Sequence, residues 1–108
     1  MKNDSIYLRH ILEAIEKIER YLADVSYEAF IKNDMMVDAV VRELEIIGQA
    51  ARNVSIKVKE QHPQIPWNKA IGMRNFLIHE YFGVNRKIIW ETCKTDLSIL
   101  KNLLLAIL

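Results

Sequence analysis

Four polar side chains stand close together in the strongly apolar context of residues 72–85. They are Arg74, Asn75, His79 and Tyr81. At about 100° per residue of an α-helix, these four side chains share roughly one half of the helix surface. Ile71, Ile78 and Phe82 fall on the same half. A polar cluster mixed with apolar residues in this way is typical of a surface that a second subunit covers.

Arg74 and His79 are residue types that could act on a phosphate without a metal ion. The arginine guanidinium is a charged fork of donors that matches phosphate oxygens. Histidine titrates near neutrality and can transfer a proton, as cleavage of RNA through its 2′-hydroxyl requires. Spacing alone leaves a second interpretation open, in which both residues only form structural hydrogen bonds on a bundle helix.

Composition places the chain among ordinary globular proteins. It has 108 residues, of which 51% are hydrophobic and 27% charged, so extended disorder is excluded. One cysteine cannot form an internal disulfide and is too few for a cysteine-built zinc site. Residues 1–108 are therefore expected to form a single domain.

The net charge of +1 hides an asymmetry between the two halves of the chain. Residues 1–51 hold six Lys/Arg and ten Asp/Glu, a balance of −4, whereas residues 52–108 hold nine and four, a balance of +5. The split is compatible with two different partners, although the charges could also face each other or water. The candidates for contacts to an RNA backbone, for which a solvated face is the alternative, are Arg52, Lys57, Lys59, Lys69, Arg86 and Lys87.

Apolar residues recur at helical spacing, and three Gly and two Pro leave few turn signals. The pattern predicts an all-α, up-down bundle of four principal helices plus a short helix. A first helix has its apolar stripe from Leu8 to Leu22, and a connection at 24–33 contains one turn that seats Phe30. A second long helix is capped by Asn33 or Asp34 and runs to Ala51, and a short helix follows at 55–61. The next helix runs from Trp67 to about Phe82 and is ended by Gly83, and the last is capped by Asn85 and has its stripe from Ile89 to Leu108.

The last predicted helix is apolar on several sides, which favours burial against another copy of the chain in a symmetric dimer. The N-terminal stretch carries acidic residues where a signal peptide needs an unbroken apolar region. The most apolar run, residues 97–108, is interrupted by polar residues and is shorter than the roughly 20 residues of a membrane span. A cytoplasmic protein without a membrane partner is expected. Trp67, Trp90 and Cys93 are interpreted as packing residues.

The order of residues around the polar cluster resembles a known family. Arg74, Asn75, His79, Glu80 and Tyr81 match the Arg-x4-His-x-Tyr motif of HepT-like HEPN toxins, including the polar residue after the arginine. The resemblance covers nearly the whole chain. The other matching segments are Leu12-Glu13-Ala14-Ile15, Asp38-Ala39-Val40-Val41-Arg42, Ile46-Ile47-Gly48-Gln49-Ala50-Ala51-Arg52, Pro66-Trp67, Gly72-Met73-Arg74-Asn75, Tyr81-Phe82-Gly83-Val84 and Ile89-Trp90.

This resemblance implies a homodimeric HEPN fold with metal-independent endoribonuclease activity, needing no cofactor, in a cleft at the dimer interface. It implies that His79 transfers a proton, that Arg74 holds the scissile phosphate, and that Asn75 orients either residue or binds the RNA. It also implies a toxin–antitoxin pair whose nucleotidyltransferase antitoxin adds AMP to Tyr81.

Three positions depart from the family pattern. Gln49 stands where relatives usually have Glu, Asn85 where Asp is common and Ser98 where Pro is common. Glutamine keeps the size of Glu but loses its charge, and with it the electrostatic role that a Glu at this position could have near the basic site. Two other functions stay open for the chain as a whole. One is a non-catalytic HEPN module that binds a nucleotide or a nucleotidyltransferase; the other is a purely structural dimerisation bundle, which would leave Arg74 and His79 unexplained.

Overall fold

Helices dominate the computed structural model, which describes residues 2–76 and 85–108. No strand occurs in these two ranges, so the prediction of an all-α fold is confirmed. None of the helices described is long and apolar enough to cross a membrane. The elements are α1 (Lys2–Tyr21), α2 (Tyr27–Ile31), α3 (Asp34–Asn53), α4 (Ile56–Gln61), α5 (Trp67–Gly72), a 3₁₀ turn (Met73–Asn75), α6 (Arg86–Glu91), a π-helical turn (Thr92–Asp96) and α7 (Leu97–Ile107).

The two longest helices, α1 and α3, pack against each other and provide much of the core. Their apolar residues return to one side of each helix every three or four positions, which is the spacing that buries a single stripe. The predicted stripes are confirmed, with Leu12 and Met36 only half-buried at their edges. The buried members are Leu8, Ile11, Ile15, Ile18 and Leu22 of the first stripe, and Val37, Val40, Val41, Leu44, Ile47 and Ala51 of the second.

Short polar residues begin four of the helices described, each by accepting a hydrogen bond from a first-turn backbone N–H. Ser26 does so for α2, where its hydroxyl accepts from Ala29 N at 3.1 Å. Asn33 accepts from Met36 N at 3.0 Å, which settles the alternative between Asn33 and Asp34 as the cap of α3. Ser55 and Asn85 act in the same way at the starts of α4 and α6. These caps satisfy backbone donors that would otherwise lack an intrahelical acceptor.

Asp4 ties the first turn of α1 to the start of α4. Its carboxylate accepts a hydrogen bond from Ser55 N at 2.7 Å and another from Ser55 Oγ at 2.9 Å. The backbone N–H of Ser55 stabilises the charged carboxylate and lowers the pKa of Asp4 below its usual value. The contact therefore fixes the start of α1 to the point at which the chain leaves α3 and enters α4.

The last helical stretch is not one uninterrupted α-helix, and in this respect the prediction is wrong. A π-helical turn lies between α6 and α7. Ile89, Cys93 and Leu97, spaced four residues apart, are all buried, and Cys93 lies within the π turn. Burial also raises the pKa of the Cys93 thiol to about 12, as fits a packing residue. Leu108, the last member of the predicted stripe, is 50% exposed.

The short helix α2 contacts α6 through a ring contact and a hydrogen bond. Phe30, which is fully buried as predicted, packs its ring against Trp90 with the ring centroids 5.3 Å apart. Arg86 donates a hydrogen bond to the Ile31 carbonyl at 2.9 Å and pairs with Asp34 at 2.9 Å. Arg86, a candidate for RNA contacts, is therefore engaged within the chain.

Candidate active site

Arg74 lies in the 3₁₀ turn that directly continues α5. The sequence predicted one α-helix from Trp67 to about Phe82, and the structure differs because α geometry gives way to 3₁₀ geometry after Gly72. The turn is closed by a hydrogen bond from the Phe76 N–H to the Met73 carbonyl. The tighter winding, about 120° per residue, changes the directions predicted for the side chains that follow Gly72.

The three residues of this turn have three different environments. Met73 is buried in the core, Arg74 is half-buried and Asn75 is exposed. Met73 thus anchors the turn, while Arg74 emerges at the boundary between core and surface. Long side chains in such positions pack their aliphatic part and keep the charged end accessible.

The backbone of this turn lies directly against α3 at Gly48. A Cβ atom at position 48 would be 2.6 Å from the Arg74 nitrogen, 2.8 Å from the Ile71 oxygen and 2.9 Å from the Arg74 Cβ. Non-bonded carbon atoms prefer separations of about 3.5–4.0 Å, so only glycine permits this contact. Sequence reasoning used Gly48 only as part of the family resemblance. The signal available was a glycine in the interior of a long helix, where it lowers helix stability and therefore calls for a packing explanation.

The guanidinium of Arg74 has no hydrogen bond or ion pair with any residue in 2–76 or 85–108. Two other cations of the described residues do have carboxylate partners, Arg86 in Asp34 and Lys101 in Glu19. A half-buried and uncompensated arginine can accept a phosphate without first giving up a partner.

Two of the four predicted site residues lie outside the described residues, namely His79 and Tyr81. The predicted helix end at Gly83 lies outside them as well. The structure places Arg74 and Asn75 next to each other on the 3₁₀ turn. It therefore gives the position of the proposed phosphate-binding residue.

The part of the chain that leads to Arg74 is basic. Residues 52–76 contain five Lys/Arg and one Asp/Glu, a balance of +4. Lys59 and Lys69 both border an open depression of about 570 Å³ at the start of α5, which also contains Pro63, Ile65 and Trp67. Trp67 itself is buried and donates from Nε1 to the His62 carbonyl at 3.0 Å, so it is a packing residue, as predicted.

An apolar depression of about 250 Å³ lies between α5 and α7 beside Met73. Ile99 of α7 borders it and is 53% exposed. Leu105 and Leu108, also on the last helix or at its end, are each half exposed. The C-terminal helix therefore carries apolar surface beyond the part that packs on the core, as its sequence pattern predicted.

A third depression, of about 400 Å³, lies between α1 and α3 and is lined by charges of both signs. Glu43 lines it, and its side chain is only 2% exposed and accepts a hydrogen bond from Arg42 at 3.2 Å. Sequence reasoning did not single out this buried carboxylate. Within the described ranges, no group of three or more His, Cys, Asp or Glu side chains is arranged to hold a metal ion.

Comparison with known proteins gives consistent matches. The family model described as "Ribonuclease HepT-like" matches residues 11–107. A Caldanaerobacter subterraneus subsp. tengcongensis protein, provisionally named an RNase, is 43% identical over 102 residues, which are 94% of this chain and 91% of that protein. A protein of Thermococcus cleftensis, provisionally named ribonuclease HepT, is 44% identical over 96 residues, covering 89% and 87%.

A longer relative also matches. A Methanocaldococcus jannaschii protein, named a gamma-glutamylcyclotransferase and provisionally an RNase, is 42% identical over 107 residues. These residues are 99% of this chain but only 48% of that protein. No solved structure matches the chain.

Proposed function

Since the chain belongs to the HepT-like ribonuclease family and has its all-α HEPN fold, we propose that it is a metal-independent endoribonuclease that acts as a homodimer. In this proposal it is the toxin of a toxin–antitoxin pair. Arg74 binds the scissile phosphate, His79 transfers protons, Asn75 supports them, and Tyr81 is the residue that the antitoxin modifies.

The proposed reaction uses the 2′-hydroxyl of the RNA as the nucleophile. His79 removes the proton from this hydroxyl, the 2′-oxygen attacks the adjacent phosphorus, and the bond to the 5′-oxygen breaks. A protonated histidine, supplied by the second copy of His79 in a dimer, donates a proton to the departing 5′-oxygen. The products are a 2′,3′-cyclic phosphate and a 5′-hydroxyl, so neither water nor a metal ion takes part in this step.

The observation that carries the proposal is the state of Arg74. Its backbone is packed against α3, its side chain is half-buried, and it has no internal anion among the residues described. Negative charge on the phosphate oxygens increases as the 2′-oxygen attacks, and a pre-positioned guanidinium stabilises that charge without rearrangement. The basic residues at 52–69 supply further positive charge on the approach to this turn.

The homodimer is proposed from the exposed apolar surface of the last helix together with the arrangement of the motif. Ile99, Leu105 and Leu108 are each at least half exposed, which is unfavourable for an isolated chain. A two-fold axis near the motif would bring two copies of Arg74 and His79 to one cleft, and it would also double the local positive charge.

Cleavage of RNA in the presence of excess EDTA tests the metal-independent reaction. We expect the purified protein to cut a single-stranded RNA at the same rate with EDTA or with Mg²⁺. A matched RNA with 2′-deoxy sugars at the cut sites should remain intact, because it lacks the nucleophile. Electrophoresis of end-labelled RNA measures both results.

If cleavage disappears with the chelator, the mechanism is wrong. If RNA stays intact under all conditions while the protein binds a nucleotide, the non-catalytic module is the better interpretation.

Modification of Tyr81 tests the proposed antitoxin partner. Incubation with the proposed nucleotidyltransferase antitoxin and with ATP should add the mass of AMP to the peptide that contains Tyr81. The modified protein should no longer cleave RNA, because the phosphate of the adduct would compete with the RNA phosphate for Arg74. Peptide mass spectrometry locates the adduct, and Tyr81→Phe is the matched control. Modification at another residue only would refute this part of the proposal.

A further inference from the structure

α3 and the segment that leads into the 3₁₀ turn lie in direct contact at Gly48. The Cβ of an alanine there would meet the Arg74 nitrogen at 2.6 Å and the Arg74 Cβ at 2.9 Å. Two of the three nearest atoms thus belong to Arg74, and the third is the carbonyl oxygen of Ile71. Backbone atoms cannot move aside as the end of a flexible side chain can, so any side chain at position 48 must displace the turn itself.

We propose that Gly48 is a positioning residue for RNA cleavage, because it alone lets the backbone of Arg74 lie against α3. The proposal rests on the function proposed above, in which Arg74 binds the scissile phosphate. Gly48 touches neither substrate nor reacting atoms. It sets the starting point of the Arg74 side chain, and thereby the place at which its guanidinium meets the phosphate.

The neighbouring elements make this effect local to Arg74. Met73, the residue before Arg74, is buried in the core and limits sliding of the turn along α3. α3 itself is fixed against α1 by a buried stripe, so it is the less movable of the two partners. A Cβ at position 48 therefore pushes the 3₁₀ turn outward and moves Arg74 with it.

Gly72 provides a matched control on the same segment. It lies two residues before Arg74, and a Cβ added there would have no atom of residues 2–76 or 85–108 within 4 Å. Its backbone has ordinary helical angles, φ −65° and ψ −16°, that alanine readily adopts. Gly72→Ala therefore makes the same chemical change as Gly48→Ala without the displacement, and it favours the helix.

The experiment measures kcat and KM for RNA cleavage, together with unfolding, for wild type, Gly48→Ala and Gly72→Ala. We expect kcat of Gly48→Ala to fall by about 10²-fold, as a displacement of about 1 Å in a catalytic group can cause. KM should change much less, because the other basic residues still bind the RNA backbone. Gly72→Ala should cleave like wild type. If Gly48→Ala is unstable, the double variant with Gly72→Ala provides a more helical background for the same measurement.

A double-mutant cycle separates positioning from loss of stability. In the Arg74→Ala background, Gly48→Ala should cause no further fall in kcat, because the side chain that it misplaces is already absent. Equal kcat for Gly48→Ala and wild type would overturn the inference, as would additive losses or failure of both Gly48 variants to fold. A wild-type protein that cleaves no RNA would instead overturn the proposed function.

Discussion

Replacing His79 by alanine is expected to lower the rate of RNA cleavage by about 10²–10⁴-fold, the range that a single proton-transfer residue contributes. The affinity for RNA should change much less than the rate, since the lysine and arginine side chains supply most of the charge that binds the RNA backbone. The rate is measured with end-labelled RNA in EDTA under single-turnover conditions, and the affinity by fluorescence anisotropy of a 2′-deoxy-blocked RNA.

Arg74→Ala provides the contrast to His79→Ala within the same experiment. Loss of a pre-positioned donor to developing charge costs about 10²–10³ in kcat. Affinity should also fall, because the guanidinium contacts the phosphate in the bound RNA as well as in the transition state. Arg74→Lys should recover only part of the rate, since an ammonium keeps the charge but lacks the two-donor fork.

Mixing the two inactive variants tests whether the site is shared between subunits. A mixed dimer contains one intact Arg74 and one intact His79. If the two motifs meet in one cleft, it should cleave faster than the average of the two parent homodimers, but more slowly than wild type, because only one of the two histidines used in the proposed reaction remains. Circular dichroism and unfolding curves control for the fold of each variant. A His79→Ala protein that is folded and still cleaves RNA like wild type would contradict the assignment. A mixed dimer that cleaves only at the average rate of the two parent homodimers would favour two independent sites.

Much of the fold can be predicted from this sequence because burial in a small helical bundle is periodic. The stripes of α1 and α3, the seat of Phe30 and the caps at Asn33 and Asn85 all follow from spacing and from local side-chain hydrogen bonds. These features depend on residues a few positions apart. Local sequence therefore contains the information that specifies them.

The departures from regular α geometry are of a different kind. The 3₁₀ turn at Met73–Asn75 lies against Gly48, and the π turn at Thr92–Asp96 contains the buried Cys93. In both turns the number of residues per turn differs from that of an α-helix at a place where the chain makes a tertiary contact. Hydrophobic periodicity contains no information about such contacts. The same limit applies to Arg86. Its charge suggested an RNA contact, whereas its hydrogen bond to Ile31 belongs to the packing of α2 on α6.

The family resemblance and the structure account for different features of the candidate site. The resemblance assigned roles to Arg74 and His79 but gave no reason why the arginine should be held firmly. The structure supplies that reason for the segment before the motif histidine, at the contact with Gly48. It supplies a second anchor after the motif, where α6 begins at Arg86 and is fixed to α2. The described residues on each side of residues 77–84, at Arg74 and at Arg86, are thus packed against α3 and α2.

Phe30→Ala is expected to cause the largest loss of stability of any single substitution in the second anchor. The Phe30 ring is fully buried, and removing such a ring costs about 3–5 kcal/mol of unfolding free energy, because the lost contacts leave a cavity. This loss is a large part of the roughly 5–15 kcal/mol that stabilises a typical domain. Urea unfolding followed by circular dichroism measures it.

The matched control is Met35→Ala, at the start of α3 and 83% exposed, which should change stability by no more than about 0.5 kcal/mol. Trp90 reports the local effect, since its ring packs on both Phe30 and Tyr27. Its fluorescence should shift to longer wavelength in folded Phe30→Ala, because water reaches the ring face that Phe30 covers. A loss of stability below about 1 kcal/mol, with unchanged fluorescence, would mean that the bundle closes around the missing ring. In that case α6 would depend on the Arg86 contacts with Ile31 and Asp34 for its attachment.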